Sequence, residues 1–252
     1  MGPHGSLRND YLGGDLGIDR KVHSTTLNIA YDLSDAWTVN SISNARSFDS
    51  LEVFDADGTA AFWLEFAEDA ESDQWSQEIR ANFNDGSAVS GFFGASYFWE
   101  DGSQAVPFAT DEGVFAACLG LAPGVPCINA DGSVNSIFPV PVIFNERFGN
   151  TGKNTSWSVY ADATWQVTPQ LTATAGIRYL EDECQGGAFA TGNTSALFGG
   201  PFLGGLFGNT GGQVVKSDTE TFDAWLPRLS LSYFSPMTYT SRPTLAKGAS
   251  PR

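Results

Sequence analysis

The stretch SWSVYADATWQVTPQLTATAGIRYLEDE, residues 156–183, decides the fold because its apolar residues fall on every second position. Trp157 begins one such set, which continues to Val167, and the residues between its members are polar. The turn Thr168-Pro169-Gln170 follows, and the alternation resumes at Leu171. Successive side chains of a β-strand point to opposite faces. The stretch therefore predicts two long strands, each of about a dozen residues, joined by a tight turn.

Alternation of this kind recurs along the chain and predicts seven strands. They lie at roughly 24–33, 36–49, 73–83, 88–100, 155–167, 171–183 and 221–234. Tight turns rich in Asp, Asn, Ser, Gly and Pro join them in pairs at 34–36, 84–87 and 168–170. The long connections between pairs lie at 50–72, 101–154 and 184–220. Alternate connections of an antiparallel meander emerge at opposite ends, so we expect all short turns at one end and all long loops at the other.

Charge and residue counts exclude several classes of function. A formal net charge of −16 with only 13 Lys and Arg argues against nucleic-acid binding, because no basic patch could neutralise phosphates. The only histidines are His4 and His23, which excludes a His-based catalytic site further along the chain. No catalytic residue, metal site or cofactor is predicted, and the protein is not expected to be an enzyme.

Strand length and loop asymmetry together indicate a membrane barrel. Long strands with short periplasmic turns and long outer loops are typical of outer-membrane β-barrels. We predict an all-β fold, an antiparallel meander that forms a partial transmembrane β-barrel. The predicted lipid-facing aromatic residues are Trp75, Trp157, Trp165 and Tyr179. The predicted lumen-facing charged residues are Glu78, Arg80, Asp162 and Arg178. Gln77 is an exception, since it falls on the lipid side of its strand.

Several blocks of the chain resemble successive blocks of TonB-dependent outer-membrane receptors. Besides 155–183, they are LNIAYDLSDAWTVNSIS (27–43), DQWSQEIRANF (73–83), GFFGASYFWED (91–101) and WLPRLSLSYFSP (225–236). The resemblance covers about 24–236 and leaves the long loops unmatched. It implies an outer-membrane barrel of 22 strands whose lumen is closed by a separate plug domain. It also implies import of a scarce nutrient, such as an iron chelate, cobalamin or a sugar, driven by the TonB complex.

Departures from this family predict that the chain is a fragment and cannot transport alone. Seven strands are an odd number and too few to close, and neither a plug nor a TonB-contact segment is visible. The expected organisation is an irregular segment at 1–23, a partial receptor-like barrel at 24–234 and a non-native tail at 235–252. The expected partners are outer-membrane lipid, a small nutrient of unknown identity and, only through the missing plug region, the TonB complex.

Cysteine spacing suggests one crosslink. Cys118 and Cys127 bracket LGLAPGVP within the longest predicted loop. In an oxidising compartment they could close a small disulfide loop, and the alternative is two free thiols. Cys184 is left over at the end of a predicted strand, beside three acidic residues.

A soluble or surface-displayed β-protein is the alternative interpretation of the whole chain. It would bind a sugar or an ion through acidic, aromatic loops, of which FGGPFLGGLFGNTGG (198–212) is the most glycine-rich. Its strands should be nearer five or six residues long, and the face turned to solvent should be the polar one.

Overall fold

The computed structural model describes residues 15–59, 61–200 and 210–234, which form one antiparallel sheet with a short helix. The strands are β1 (Gly17–Ser34), β2 (Trp37–Asp55), β3 (Glu65–Asn84), β4 (Val89–Asp111), β5 (Ile143–Gln166), β6 (Leu171–Gly192), β7 (Val215–Lys216) and β8 (Glu220–Tyr233). The helix α1 (Glu112–Cys118) directly follows β4.

Neighbours in sequence are neighbours in the sheet, which runs β1-β2-β3-β4-β5-β6. The outer edge of β6 is shared by two strands. β8 pairs with residues 171–184, and the two-residue β7 pairs further along at Gly187 and Ala188. Among the described strands β1 and β8 each have a single long neighbour, so the sheet is an open meander. This confirms the predicted antiparallel meander and partial barrel.

Short turns and long loops separate to opposite ends of the sheet. At one end, the Asn84 amide donates to the Ala36 carbonyl at 2.9 Å, and the Gln166 amide to the Ala88 carbonyl at 2.7 Å. These bonds join the turns of successive hairpins. At the other end, the loop after β2 bonds to the start of α1, which confirms the predicted arrangement of connections.

Strands reach much further toward the loop end than the sequence predicts. β1 begins at Gly17, so residues 17–23, predicted as irregular, belong to a strand. β5 begins at Ile143 rather than near 155, and α1 lies inside a segment predicted as a long loop. Toward the loop end polar and apolar residues are mixed on these strands, so alternation fades while backbone pairing continues. Residues 1–14 and the predicted tail at 235–252 lie outside the described residues.

Exposure differs systematically between the two faces of the sheet. In β5 the Ser158 side chain is 1% exposed, whereas its neighbours Trp157 and Val159 are 39% and 47% exposed. The same alternation in exposure runs through much of β3 and β4. Even-numbered residues of β3 to β5 therefore lie on the concave face, and odd-numbered residues lie on the convex face.

The tightly packed core lies at the loop end of the sheet. Val53, Ala67 and Ala109 from three adjacent strands are almost fully buried, and Phe62 from the loop after β2 packs on them. Asp111 caps α1 by accepting hydrogen bonds from the amides of Gly113 and Val114. The rest of the sheet is a single layer, so its stability depends on backbone pairing and on what covers its faces.

The turn between β3 and β4 is held by two side chains and one glycine. The Asn84 side chain accepts from the Gly86 amide at 3.1 Å, and the Asp85 carboxylate accepts from the Ser87 amide at 2.9 Å. Hydrogen bonds from Ser87 also hold the pKa of the Asp85 carboxyl below its usual value. Gly86 has a φ of +75°, a conformation that glycine adopts without strain.

We expect Gly86→Val to lower the free energy of unfolding by about 1–3 kcal/mol, because a β-branched residue is strained at positive φ. Urea unfolding in detergent micelles measures this difference. Gly86→Asn is the matched control, since Asn tolerates the left-handed region, and it should cost clearly less. Equal losses for the two variants would show that backbone strain does not govern this turn.

Candidate functional site

A hollow of about 480 Å³ lies on the concave face where β3, β4, β5, β6 and β8 adjoin. It contains all four charged residues selected from the sequence as lumen-facing, together with a tyrosine and a further arginine. We call this set the polar wall; it consists of Glu78, Arg80, Tyr160, Asp162, Arg178 and Arg228.

Glu78 of the polar wall is bonded to a residue two strands away. The Tyr160 hydroxyl donates to its carboxylate at 2.7 Å, and the strand between them, β4, contributes Gly94 at the crossing point. A Cβ at Gly94 would lie 2.6 Å from the Tyr160 hydroxyl oxygen. The missing side chain thus provides the space through which Tyr160 reaches Glu78.

Asp162 uses the same arrangement two strands further along the sheet. Its carboxylate lies 3.7 Å from the Arg228 guanidinium on β8, and Gly176 of β6 stands between them. A Cβ at Gly176 would come within 2.5 Å of the Asp162 carboxylate. Arg178 was also predicted to face the lumen, but the ion pair of Asp162 in the structure is with Arg228.

The other two arginines of the polar wall pack against aromatic rings. The Arg80 guanidinium lies 5.3 Å from the centre of the Phe92 ring, and that of Arg178 lies 5.9 Å from the Tyr160 ring. The Arg80 Nε is buried without a hydrogen-bond partner among the described residues. Three guanidinium groups and two carboxylates therefore share the hollow, with one positive charge in excess.

A row of rings crosses the convex face, and we call it the aromatic row. Its members are Trp75, Tyr97, Trp157, Tyr179 and Trp225. Ring centres are 5.5 Å apart for Trp75 and Tyr97 and 4.9 Å apart for Tyr179 and Trp225. The sequence identified three of these residues. Tyr97 and Trp225 were missed, because their membership depends on which residues stand opposite each other across strands.

On three strands, a second aromatic residue lies eight positions after the member of the aromatic row, toward the turn end of the sheet. The pairs are Trp75 with Phe83, Trp157 with Trp165, and Trp225 with Tyr233. Eight residues span about 26 Å of strand, and a tilt of roughly 40° reduces this to about 20 Å, comparable with the apolar band of a membrane barrel. The intervening convex surface carries exposed aliphatic side chains, including Ile79, which is 53% exposed.

Gln77, the exception in the sequence pattern, is hydrogen-bonded on the convex face. Its amide oxygen accepts from the Ser43 hydroxyl, and its amide nitrogen donates to the Ser41 hydroxyl at 2.9 Å and to the Glu78 carbonyl at 3.0 Å. A polar group within an apolar surface is tolerated when the protein itself provides its partners. These contacts therefore make Gln77 compatible with the surrounding band.

At the loop end, α1 and two loops form a small unit that we call the cap, made of α1 and residues 119–142 and 193–200. Cys118 and Cys127 are joined by a disulfide, and Cys184 is a free thiol in β6. Glu112 is 1% exposed, and its carboxylate accepts from the amides of Ala196 at 2.7 Å and Leu197 at 3.1 Å. Sequence patterns do not indicate this role of Glu112, because its partners lie over 80 residues away along the chain.

Neither a metal cluster nor a membrane-spanning helix is present in the described ranges 15–59, 61–200 and 210–234. No group of three or more His, Cys, Asp or Glu side chains there is arranged to hold a metal ion. No helix within the same ranges combines the length and the apolar character needed to cross a membrane.

We expect Gly94→Ala to lower the free energy of unfolding by about 1–3 kcal/mol, because the added methyl group forces Tyr160 and a β3 carbonyl to move. Urea unfolding in detergent measures the loss. Gly152→Ala in β5 is the control, since a Cβ there meets nothing within 4 Å. Equal behaviour of the two variants would contradict the crossing role of Gly94.

We expect Glu112→Ala to loosen the cap, because it removes the buried carboxylate that accepts from the amides of Ala196 and Leu197. The free energy of local opening should fall by about 1–3 kcal/mol, seen as faster hydrogen exchange at Ala196 and Leu197. Asp131→Ala, in an exposed part of the cap, should leave exchange at 193–200 unchanged. Unaltered protection in Glu112→Ala would mean that this carboxylate does not hold the loop.

Comparison with known proteins shows a family match and a likeness to solved structures. A family model described as TonB dependent receptor-like, beta-barrel matches residues 2–241. None of the curated proteins compared with the chain matches it. The crystal structure of the ferric yersiniabactin uptake receptor FyuA from Yersinia pestis is similar, with a TM-score of 0.53 and 19% sequence identity.

That likeness covers 86% of this chain and 26% of the FyuA chain, so the present chain spans about a quarter of that receptor's length. At this identity the likeness shows the fold alone. The family model, in contrast, extends over nearly the whole sequence. The chain therefore belongs to the TonB-dependent receptor-like β-barrel family of the outer membrane.

Proposed function

We propose that the chain forms a sector of the barrel wall of an outer-membrane receptor that takes up a scarce nutrient. The observation that carries this proposal is that one face of the sheet is apolar and the other is polar. The convex face combines exposed aliphatic side chains with the aromatic row, and the concave face carries the polar wall. Membrane barrels place apolar side chains toward lipid and polar side chains toward a hydrated lumen.

The convex face supports contact with lipid rather than with water. Ile29, Ile79 and Val159 on three strands are each about half exposed, and the rings of the aromatic row add to the same surface. A soluble monomer rarely exposes so large a contiguous apolar surface. A soluble binding protein would instead turn its polar face outward, so this surface argues against the alternative interpretation.

The concave face supports contact with a polar lumen. Its charges are held by the Tyr160–Glu78 bond and the Asp162–Arg228 pair, and the hollow remains open between them. We infer that the nutrient is an iron chelate, cobalamin or a sugar. FyuA is an uptake receptor for ferric yersiniabactin, which supports iron chelates as the first class to test.

In this proposal, the sector does not transport alone. The open edges at β1 and β8 and the limited share of the FyuA chain that is matched support a partial wall. Outer-membrane lipid is its direct partner. Contact with the TonB complex falls to a plug region and not to the strands described here.

The chain expressed alone should require detergent, because the convex face and two unpaired edges would meet water. Size-exclusion chromatography in plain buffer should show aggregates, and a monomer should appear only in detergent. A sharp monomeric peak in plain buffer, with cooperative thermal unfolding, would contradict the membrane proposal and favour a soluble binding protein.

Two adjacent residues of β1 test which face contacts lipid. Ile29 is convex and Asn28 concave, and both are exposed on an edge strand. In lipid vesicles we expect Ile29→Arg to lower the free energy of unfolding by about 2–4 kcal/mol, the usual cost of Arg near the midplane on a lipid-facing strand. Asn28→Arg should change it by less than about 0.5 kcal/mol. A larger loss for Asn28→Arg than for Ile29→Arg would show that the concave face contacts lipid, and would contradict the proposal.

A further inference from the structure

A second hollow, of about 620 Å³, lies on the convex face beside the end of the aromatic row on β3. Its charged residues and its one indole have odd numbers, and the register pairs odd with odd from β1 to β4, so these side chains share the convex face. We call this space the outer hollow; these lining residues are Lys21, Asp49, Glu71, Asp73, Trp99 and Asp101.

The outer hollow lies at the depth of lipid headgroups. Trp99 stands opposite Trp75 of the aromatic row, so the hollow begins at the level of that row. Asp73 and Asp101 face each other two residues further toward the loop end, and Glu71 lies two residues beyond Asp73. At about 3.3 Å per residue and a tilt of roughly 40°, these carboxylates lie about 5–10 Å beyond the row. The headgroup layer of a bilayer occupies about this depth next to the hydrocarbon.

The convex surface beneath the outer hollow is open because the aromatic row stops at Trp75. The residues in register with Trp75 on the next two strands are Ala45 of β2 and Thr25 of β1, neither of which carries a ring. Ser47 and Ser103 line the hollow with short side chains. A lipid molecule can therefore approach the hollow from the apolar band without displacing a large side chain.

Negative charge predominates in the outer hollow. Four carboxylates line it with one ammonium group, that of Lys21, and with the imidazole of His23, which is neutral at pH 7. Within the part of the chain that the structure describes, Asp49, Asp73 and Asp101 have no hydrogen bond or ion pair. An excess of three negative charges therefore meets any headgroup that enters.

A primary ammonium group fits this surface better than the other charges that lipid headgroups carry. It offers three N–H donors, as a lysine side chain does, and hydrogen bonds from an ammonium to a carboxylate are stronger than those between neutral groups. A choline ammonium has no N–H to donate. A headgroup whose only charge is a phosphate is repelled by the excess of carboxylates.

We propose that the outer hollow binds the headgroup of a lipid that carries a primary amine, of which phosphoethanolamine is the simplest example. Asp73 and Asp101 accept hydrogen bonds from the ammonium group, and Lys21 at the rim pairs with the phosphate. The acyl chains extend past Ala45 and Thr25 into the apolar band. This inference rests on the proposed function, because it requires the convex face to lie in a membrane.

Retention of lipid by the full chain, measured by native mass spectrometry, tests the proposal. The protein is purified in detergent with equal amounts of phosphatidylethanolamine, phosphatidylcholine and phosphatidylglycerol that have identical acyl chains. We expect the ethanolamine lipid to be retained about fivefold more than the choline lipid, as two exposed charged contacts predict, and the glycerol lipid least. Combining Asp73→Asn with Asp101→Asn should abolish this preference.

Glu183→Gln is the matched control. Glu183 is an exposed carboxylate beyond the aromatic row on β6, where it faces Thr155, and it lies outside the outer hollow. Its removal should preserve the preference for the ethanolamine lipid. Loss of the preference to the same extent in this control and in the double variant would overturn the inference, because bulk surface charge would then account for the binding.

Three other outcomes would also overturn the inference. Equal retention of the ethanolamine and choline lipids would show that the N–H donors are not recognised. Adducts that vanish on addition of EDTA would assign the carboxylates to a divalent cation, and dimers without retained lipid would assign the hollow to a second copy of the chain. A chain that is monomeric in plain buffer would instead count against the proposed function.

Discussion

Backbone pairing is the constraint on which the rest of this structure depends. Within a bilayer every N–H and C=O group must find a partner in the protein, because hydrocarbon offers none. The long ladders from β1 to β6 and the short turns at one end follow from that requirement. The sheet is one layer thick over most of its area, so it has no core that could compensate for a missing ladder. Among the described strands, the edges at β1 and β8 are therefore the places where backbone groups lack a neighbouring ladder.

Glycine gives the concave face its particular chemistry. Gly94 and Gly176 occupy strands between pairs of interacting residues, and each leaves the space that one long side chain needs to cross. Tyr160 and Asp162 thereby reach partners two strands away. The polar wall is thus connected from β3 to β8 by contacts that skip a strand, in addition to the packing of Arg178 on the Tyr160 ring of the neighbouring strand.

The sequence could predict the fold where water and lipid impose different side chains on the two faces. Alternation around Trp157 correctly located β5 and β6 and the turn between them. It failed toward the loop end, where residues such as those of EFAEDAESD (65–73) are in a strand but show no consistent two-residue pattern. Arg228 and Glu112 could not be selected, because their roles depend on register across strands and on a distant loop. α1 was missed because a seven-residue helix is too short to show periodicity.

The length of β5 decides where a ligand first meets the protein. β5 continues from Trp157 to Ile143, which is about 46 Å of strand and, at a tilt near 40°, about 35 Å above the aromatic row. Lipid headgroups occupy only several ångströms beyond the hydrocarbon. The cap consequently stands well clear of the headgroup layer. A solute diffusing from outside would collide with the cap in open solution, so the first encounter would not be slowed by the crowded membrane surface.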